Sequence, residues 1–232
     1  MRNKLIIEAL GTFFLCVAAL MAPTPLIVAS LLLALIYIGA PISSAHYNPA
    51  VSFALRLRGR TGTRSLLAYV AVQLSAAVLA ALVASYLLGH DPERTKDALP
   101  ALGESAFTGF GESALVELLG TFLLALVILM VGTSRLTAGN SYFGLAIAAT
   151  VLGVAGTFGD LNPTMNPAVS LAASLLGVFT ELGDGPLGTK ALFTETLFLA
   201  NIAPRLLAET LVQFGGAALA AGLFRGLFPE DR

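Results

Sequence analysis

The sequence predicts an all-α integral membrane fold of six transmembrane helices and two re-entrant half-helices arranged as an inverted repeat. Three observations predict it. The 232 residues are 56% hydrophobic and 12% charged, against about 25% charged in an ordinary soluble domain, so a globule of this composition lacks the polar surface to cover itself in water. Six long apolar runs each approach the roughly 20 residues that a spanning helix needs, together using about 120 residues and leaving about 110 for loops and ends. The chain also repeats itself, with three local matches in the same order in each half. Composition argues against a soluble enzyme, a nucleic-acid binder and a disordered tail. The balance of 13 Lys and Arg against 14 Asp and Glu leaves a net charge of −1, without the basic footprint that nucleic acid requires.

Taken in order, the spans are expected near Leu5 to Met21, Leu26 to Ile42, Ser65 to Leu88, Ala114 to Thr133, Tyr142 to Thr157 and Leu206 to Phe228. The first follows Arg2 and Lys4 and shares the layout of a signal peptide. Glu8 inside it, the absence of a clear small-residue cleavage pattern and the return of its pattern mid-chain make it a span instead. Asn48 to Leu57 and Asn166 to Val178 are apolar and helix-like but too short to cross, so each reads as a re-entrant half-helix. Cys16 is the only cysteine, which rules out an intrachain disulfide. It sits in a span without a nearby His, and no nucleophile–base set or metal-ligand spacing appears, so neither catalysis nor a cofactor is expected.

The repeat constrains the fold most strongly. Glu8-Ala-Leu-Gly-Thr-Phe matches Glu117-Leu-Leu-Gly-Thr-Phe, Asn48-Pro-Ala-Val-Ser returns as Asn166-Pro-Ala-Val-Ser, and the segment from Leu67 to Gln73 returns as Leu207 to Gln213. With three spans per half the second copy runs through the membrane inverted relative to the first. One channel domain, 1–232, is therefore expected, with halves 1–110 and 111–232. Placing the N-terminus in the cytoplasm puts Arg2, Lys4, Arg56, Arg58, Arg60, Arg64, Arg135, Arg225 and Arg232 on that side and Arg94, Lys96, Lys190 and Arg205 on the other. That excess predicts both termini inside.

Inverted halves bring the two short helices in from opposite faces, N-termini meeting near the midplane. Asn is a favoured cap and Pro is harmless in the first turn. Two N-termini aimed at one spot concentrate roughly half an elementary charge each there, which repels a cation. Each Asn amide can donate to an acceptor oxygen, so a neutral polar molecule can be held in passing. The chemistry is passage, not bond-making.

These motifs resemble the aquaporin and glycerol-facilitator family, also called major intrinsic proteins. The resemblance rests on Ser43-Ser-Ala-His-Tyr-Asn-Pro-Ala-Val51, on Met165-Asn-Pro-Ala168 and on the Glu8 and Glu117 motifs, and covers essentially the whole chain. It implies a bundle of six helices plus two half-helices, a homotetramer with one pore per subunit, water and small neutral solutes as permeants, and a plasma membrane of a prokaryote as its location. It further implies that Asn48 and Asn166 line the pore, together with Pro49, Ala50, Pro167 and Ala168, which also stack the half-helices. His46 matches a histidine that lines the cytoplasmic vestibule, or is simply hydrogen-bonded within its loop. Glu8 and Glu117 match buried glutamates that support the re-entrant loops, in keeping with the cost of exposing a carboxylate to lipid; a proton relay is the alternative. Gln73 and Gln213 read as interhelical hydrogen-bonding groups.

One position departs from the pattern. In water-selective members and glycerol facilitators an Arg usually follows the second Asn-Pro-Ala, and here the residue is Val169. Counting from the boxes places Val28, Val154 and Pro163 at the other filter positions. An apolar filter with backbone carbonyls of the 159–163 loop as its polar groups should be wider and less selective, or should dewet. Passage of water with glycerol, urea or a metalloid hydroxide is expected, with weaker cation exclusion at the outer mouth. Asp160 either attracts a cation there or caps a turn. The segment from Val178 to Arg205 either folds over the outer mouth, through the apolar stretch Ala191 to Ile202, or packs at a subunit boundary. The loop from His90 to Glu112 reads as a solvated crossover. Two rival functions remain: an ion-coupled secondary transporter, disfavoured by the absence of an acidic pair at the helix breaks, and a non-conducting structural membrane protein of the same fold.

Overall fold

Glycine, alanine and the two Asn-Pro breaks set the architecture. The computed structural model describes residues 1–88, 110–161, 163–183 and 202–231. Among them are eight α-helices: α1 (Arg2–Met21), α2 (Pro25–Ser43), α3 (Pro49–Leu57), α4 (Thr63–Leu88), α5 (Phe110–Thr133), α6 (Phe143–Thr157), α7 (Pro167–Gly183) and α8 (Ala203–Leu227). Five of them, α1, α2, α4, α5 and α8, are long and apolar enough to cross a membrane. The sixth expected span, α6, has 15 residues, about 22 Å of helix, and is followed by a 3₁₀ turn over Gly159–Leu161. The fold is all-helical, as the sequence predicts.

Four boundaries differ from expectation by three residues or more, among them the starts of α1, at Arg2 ahead of Leu5, and of α5, at Phe110 ahead of Ala114. The second half-helix runs past Val178 to Gly183, because no breaker intervenes until Gly183-Asp-Gly-Pro. The last span starts at Ala203, ahead of Leu206, with a proline in its first turn where the missing N–H is harmless. The readings of Ala191 to Ile202 and of most of the His90 loop fall outside the described residues.

Packing reproduces the repeat. In the first half α1 packs on α2 and α4; in the second α5 packs on α6 and α8; and each half-helix lies against the last long helix of the other half, α3 on α8 and α7 on α4. Small residues make these approaches possible, since lipid supplies no hydrophobic drive and close backbone contact is what holds such helices. Ala76, Ala77, Ala80 and Ala81 are buried on α4, and Gly216, Ala217, Ala220 and Ala221 take the equivalent places on α8. Leucines such as Leu67, Leu82, Leu211 and Leu219 face outward, where the bilayer is their solvent.

At Gly216 the approach leaves no space: a Cβ there would lie 2.6 Å from the Leu118 carbonyl oxygen and 2.9 Å from the Phe122 nitrogen. Backbone atoms cannot rotate away, so Gly216→Ala must push α8 off α5, an overpacking expected to cost about 2 kcal/mol. Gly215→Ala is the control, because its Cβ meets only a Leu118 methyl at 3.7 Å. In detergent, G216A should melt about 4–8 °C below wild type, and G215A within a degree or two of it.

One end of the bundle is tied by charge. Arg58 is buried against the Phe224 ring, its centre 4.9 Å from the ring centroid. It donates to the Asp231 carbonyl oxygen and pairs with the Asp231 carboxylate at 3.5 Å. That carboxylate also accepts the Arg135 N–H at 3.0 and 3.1 Å. The carboxyl of Asp231 is held below the usual aspartate range, chiefly by its bond to the Ser134 side chain and then by the Arg135 N–H and the two guanidinium groups. The clamp fastens the end of α3, the α5–α6 turn and the end of α8 together.

Candidate functional site

Each half-helix begins at an asparagine whose side chain does two jobs. The Asn48 side-chain oxygen caps α3, accepting from the N–H of Ala50 at 2.8 Å and of Val51 at 3.3 Å, while Pro49 occupies the first turn. Asn166 caps α7 through the Ala168 N–H at 3.0 Å. The amide nitrogens then reach across the repeat: Asn48 Nδ2 donates to the Met165 carbonyl at 2.8 Å, and Asn166 Nδ2 donates to the Tyr47 carbonyl at 3.0 Å. Each amide has two hydrogens, so one remains on each for a visitor.

The residue before each asparagine makes the crossing possible. Tyr47 and Met165 have φ of 49° and 53°, a left-handed turn that non-glycine residues seldom adopt and that here must be held by its surroundings. Part of the hold is a notch. The Tyr47 ring lies where a side chain on Gly11 would be, 2.1 Å from its Cβ position, and Met165 takes the matching place at Gly120, at 2.9 Å. These glycines are the fourth residue of the repeated Glu motif.

The other part is the glutamates. Glu8 is fully buried and accepts from the Ser43 hydroxyl (2.7 Å), the His46 N–H (2.9 Å), the Tyr47 N–H (2.8 Å) and Gln73 Nε2 (2.9 Å). Glu117 accepts from the Thr164 N–H (2.6 Å) and hydroxyl (2.8 Å), the Met165 N–H (2.8 Å) and Gln213 Nε2 (2.9 Å). Both carboxylates thus bond the backbone of the re-entrant loops, with all four acceptor sites used. Ser52 and Ser170, four residues past each asparagine, complete the pattern by accepting from Gln73 (3.2 Å) and Gln213 (2.9 Å). Sequence reasoning did not single out these serines, although their recurrence in the two Asn-Pro-Ala-Val-Ser boxes was the signal for them.

His46 is buried, edge-on to Tyr69 with centroids 4.9 Å apart, and its Nδ1 lies 2.9 Å from Ser52 Oγ. The Ser52 hydroxyl donates to the Asn48 carbonyl at 2.9 Å, so its one proton is committed. His46 Nδ1 is then the donor, and Nε2 keeps its lone pair. His46 also borders the central cavity, so it is both a loop-bonded residue and a wall residue.

That cavity, about 950 Å³, runs the length of the bundle between the halves. Asn48 and Asn166 lie in its wall, as do Val28, Pro163 and Val169 of the expected filter. Four residues expected at the pore lie elsewhere: Pro49, Ala50, Pro167 and Ala168 are buried and do not border the cavity. Ala50 packs against Ala54, Ala125, Ala217 and Ala220, the role of stacking helices rather than lining a pore. Val154 is likewise turned away, buried with Leu124 and Met165. The α6 face toward the cavity carries Ile147, Val151 and Ala155, spaced four apart as one helical stripe, so Ala155 rather than Val154 borders the lumen. Of Asp160 only the backbone is described, within the turn Gly159–Leu161.

Two helix N-termini and two amide donors facing one lumen can hydrogen-bond a neutral oxygen-bearing molecule and repel a cation. The chain is similar to known proteins. A family model described as Major intrinsic protein matches residues 2–181. Among curated relatives, "Aquaporin NIP1-1" of Zea mays is 31% identical over 196 residues, 78% of this chain and 67% of that one. "Probable aquaporin AqpM" of Archaeoglobus fulgidus is 36% identical over 150 residues, 62% of this chain and 60% of that one. The chain thus spans about two thirds or less of the length of these relatives. The solved aquaglyceroporin of Plasmodium falciparum superimposes with a TM-score of 0.73 over 96% of this chain and 94% of that one at 18% identity, a likeness of fold.

Proposed function

The chain belongs to the major intrinsic protein family, is an integral membrane protein and is not an enzyme, and from that premise we propose that it forms a passive, bidirectional channel for water together with small neutral solutes such as glycerol, urea or a metalloid hydroxide. The observation that carries the reading is the pair of asparagines capping opposed half-helices in the wall of one continuous cavity. A permeant oxygen passing them accepts one N–H from each amide and faces away from the next molecule in line, so the hydrogen-bonded file that would carry a proton is interrupted.

Solute breadth follows from the outer wall. Val28, Ala155, Pro163 and Val169 border the cavity and present no cation and no imidazole, so backbone carbonyls near Gly159 and Pro163 are among the polar groups a solute meets. On this reading residues 1–232 act as one channel unit of two halves, 1–110 and 111–232, and four copies assemble with one pore each. The excess of arginine at the Arg58–Asp231 end supports an orientation with that end, and both termini, in the cytoplasm, at the plasma membrane of a prokaryote.

Stopped-flow light scattering on proteoliposomes tests the proposal. Water efflux and glycerol and urea uptake should each exceed empty liposomes, rise linearly with solute concentration and be indifferent to Na⁺ or proton gradients. Saturating or gradient-dependent flux would replace the channel with a carrier, and permeability no higher than empty liposomes would leave a structural protein.

A further inference from the structure

Among the described residues that border the cavity, one carries a charge: Arg60. Its position is fixed from both sides. The half-helix α3 ends in a Schellman turn, with Gly59 at φ 83°, the Gly59 N–H on the Arg56 carbonyl at 3.0 Å and the Arg60 N–H on the Leu55 carbonyl at 2.9 Å. The turn sends Arg60 across the mouth, where its Nη2 donates to the carbonyl of Thr133, the last residue of α5, at 3.1 Å. The neighbouring cations are occupied differently: Arg58 is buried in the clamp with Asp231, and Arg56 bonds the Thr63 hydroxyl at 3.1 Å.

Electrostatics at this mouth are the reverse of those at the asparagines. Both α3 and α5 end here, and a helix C-terminus carries about half a negative elementary charge. Among the described residues that border the cavity, Arg60 alone sets a positive charge against these two ends. At the opposite mouth position 169 is a valine, and no described residue that borders the cavity there carries a charge. We propose that Arg60 is a specificity-determining residue that turns cations away at the Arg58–Asp231 end of this pore, ahead of the asparagines. A neutral solute passes the guanidinium by hydrogen bonding to it, whereas a monovalent cation meets a like charge held in place by Thr133 on the route to the lumen. The proposal rests on the channel reading above.

The test is ⁸⁶Rb⁺ uptake into proteoliposomes at low ionic strength, where screening is weakest, with water efflux measured on the same preparations. Arg60→Gln keeps an N–H for the Thr133 carbonyl and removes the charge; Arg60→Lys keeps the charge. R60Q should raise Rb⁺ uptake about tenfold or more over wild type while water efflux stays above empty liposomes, R60K should remain near wild type, and adding Val169→Arg to R60Q should bring Rb⁺ uptake back down. Water efflux retained in R60Q with Rb⁺ uptake unchanged would overturn the assignment of Arg60, and so would equal leakage in R60Q and R60K. If wild type moves no water above empty liposomes, the channel reading itself fails, a result distinct from either.

Discussion

Replacing Val169 by arginine is expected to lower glycerol and urea uptake about tenfold or more while water efflux persists. Val169 is the third residue of α7, buried, and borders the cavity together with Val28 and Pro163. The substitution adds a long planar cation to a ring of small apolar groups, so it narrows the passage and supplies hydrogen-bond donors at once. A water molecule is small enough to pass beside a guanidinium and can trade hydrogen bonds with it. Glycerol must shed more of its hydration to squeeze past, and the apolar wall that now accommodates its carbon backbone is lost. Val169→Met separates the two effects, since it adds length without charge. If methionine lowers solute uptake as far as arginine does, width alone decides; if only arginine does, the charge matters. Some loss of stability accompanies V169R, about 0.3–1 kcal/mol, because a cation is placed at a helix N-terminus. Uptake that does not fall in either variant would place the narrowest point elsewhere and end the wide-filter reading.

The spans, both half-helices and the inverted order were legible because lipid enforces a simple rule: apolar runs of a certain length cross and shorter ones do not. The asparagines were legible because Asn-Pro carries its own capping chemistry. Positions read by counting from a box were less secure. Val28, Pro163 and Val169 border the lumen, whereas Val154 does not, because one helical residue is 100° of rotation and an ungapped count says nothing about which way α6 is turned. What turns it is the notch at Gly120, whose Cβ position lies 2.9 Å from Val154 Cγ1. That constraint is visible only once two helices are in contact. Pro49, Ala50, Pro167 and Ala168 show a similar limit: a motif residue beside the pore in sequence can face helix packing in space. Arg60 was legible only as one of several positive charges, since a Schellman turn and the end of α5 are both needed to bring it to the lumen.

Removing either buried glutamate, Glu8→Ala or Glu117→Ala, should abolish transport and cost about 4 kcal/mol or more of stability. Each carboxylate satisfies four donors, and a buried donor left without a partner costs about 1–3 kcal/mol; water entering from the cavity would recover part of the loss. The Gln variants should fall between, because the amide accepts on one side but presents hydrogens to donors on the other. Proton flux separates this support role from a relay: with a pH-sensitive dye trapped inside, wild-type vesicles should show no leak that E8Q or E117Q removes, and a leak that vanished in either would revive the relay. The cross-links between the halves add a further consequence. Glu8 fixes Tyr47, whose carbonyl holds Asn166, and Glu117 fixes Met165, whose carbonyl holds Asn48. Each glutamate therefore positions the asparagine of the opposite half. Loss of one loosens both, so the E8A/E117A double variant should be destabilised by clearly less than the sum of the single variants. Strict additivity in detergent melts would show instead that the two halves keep their asparagines independently.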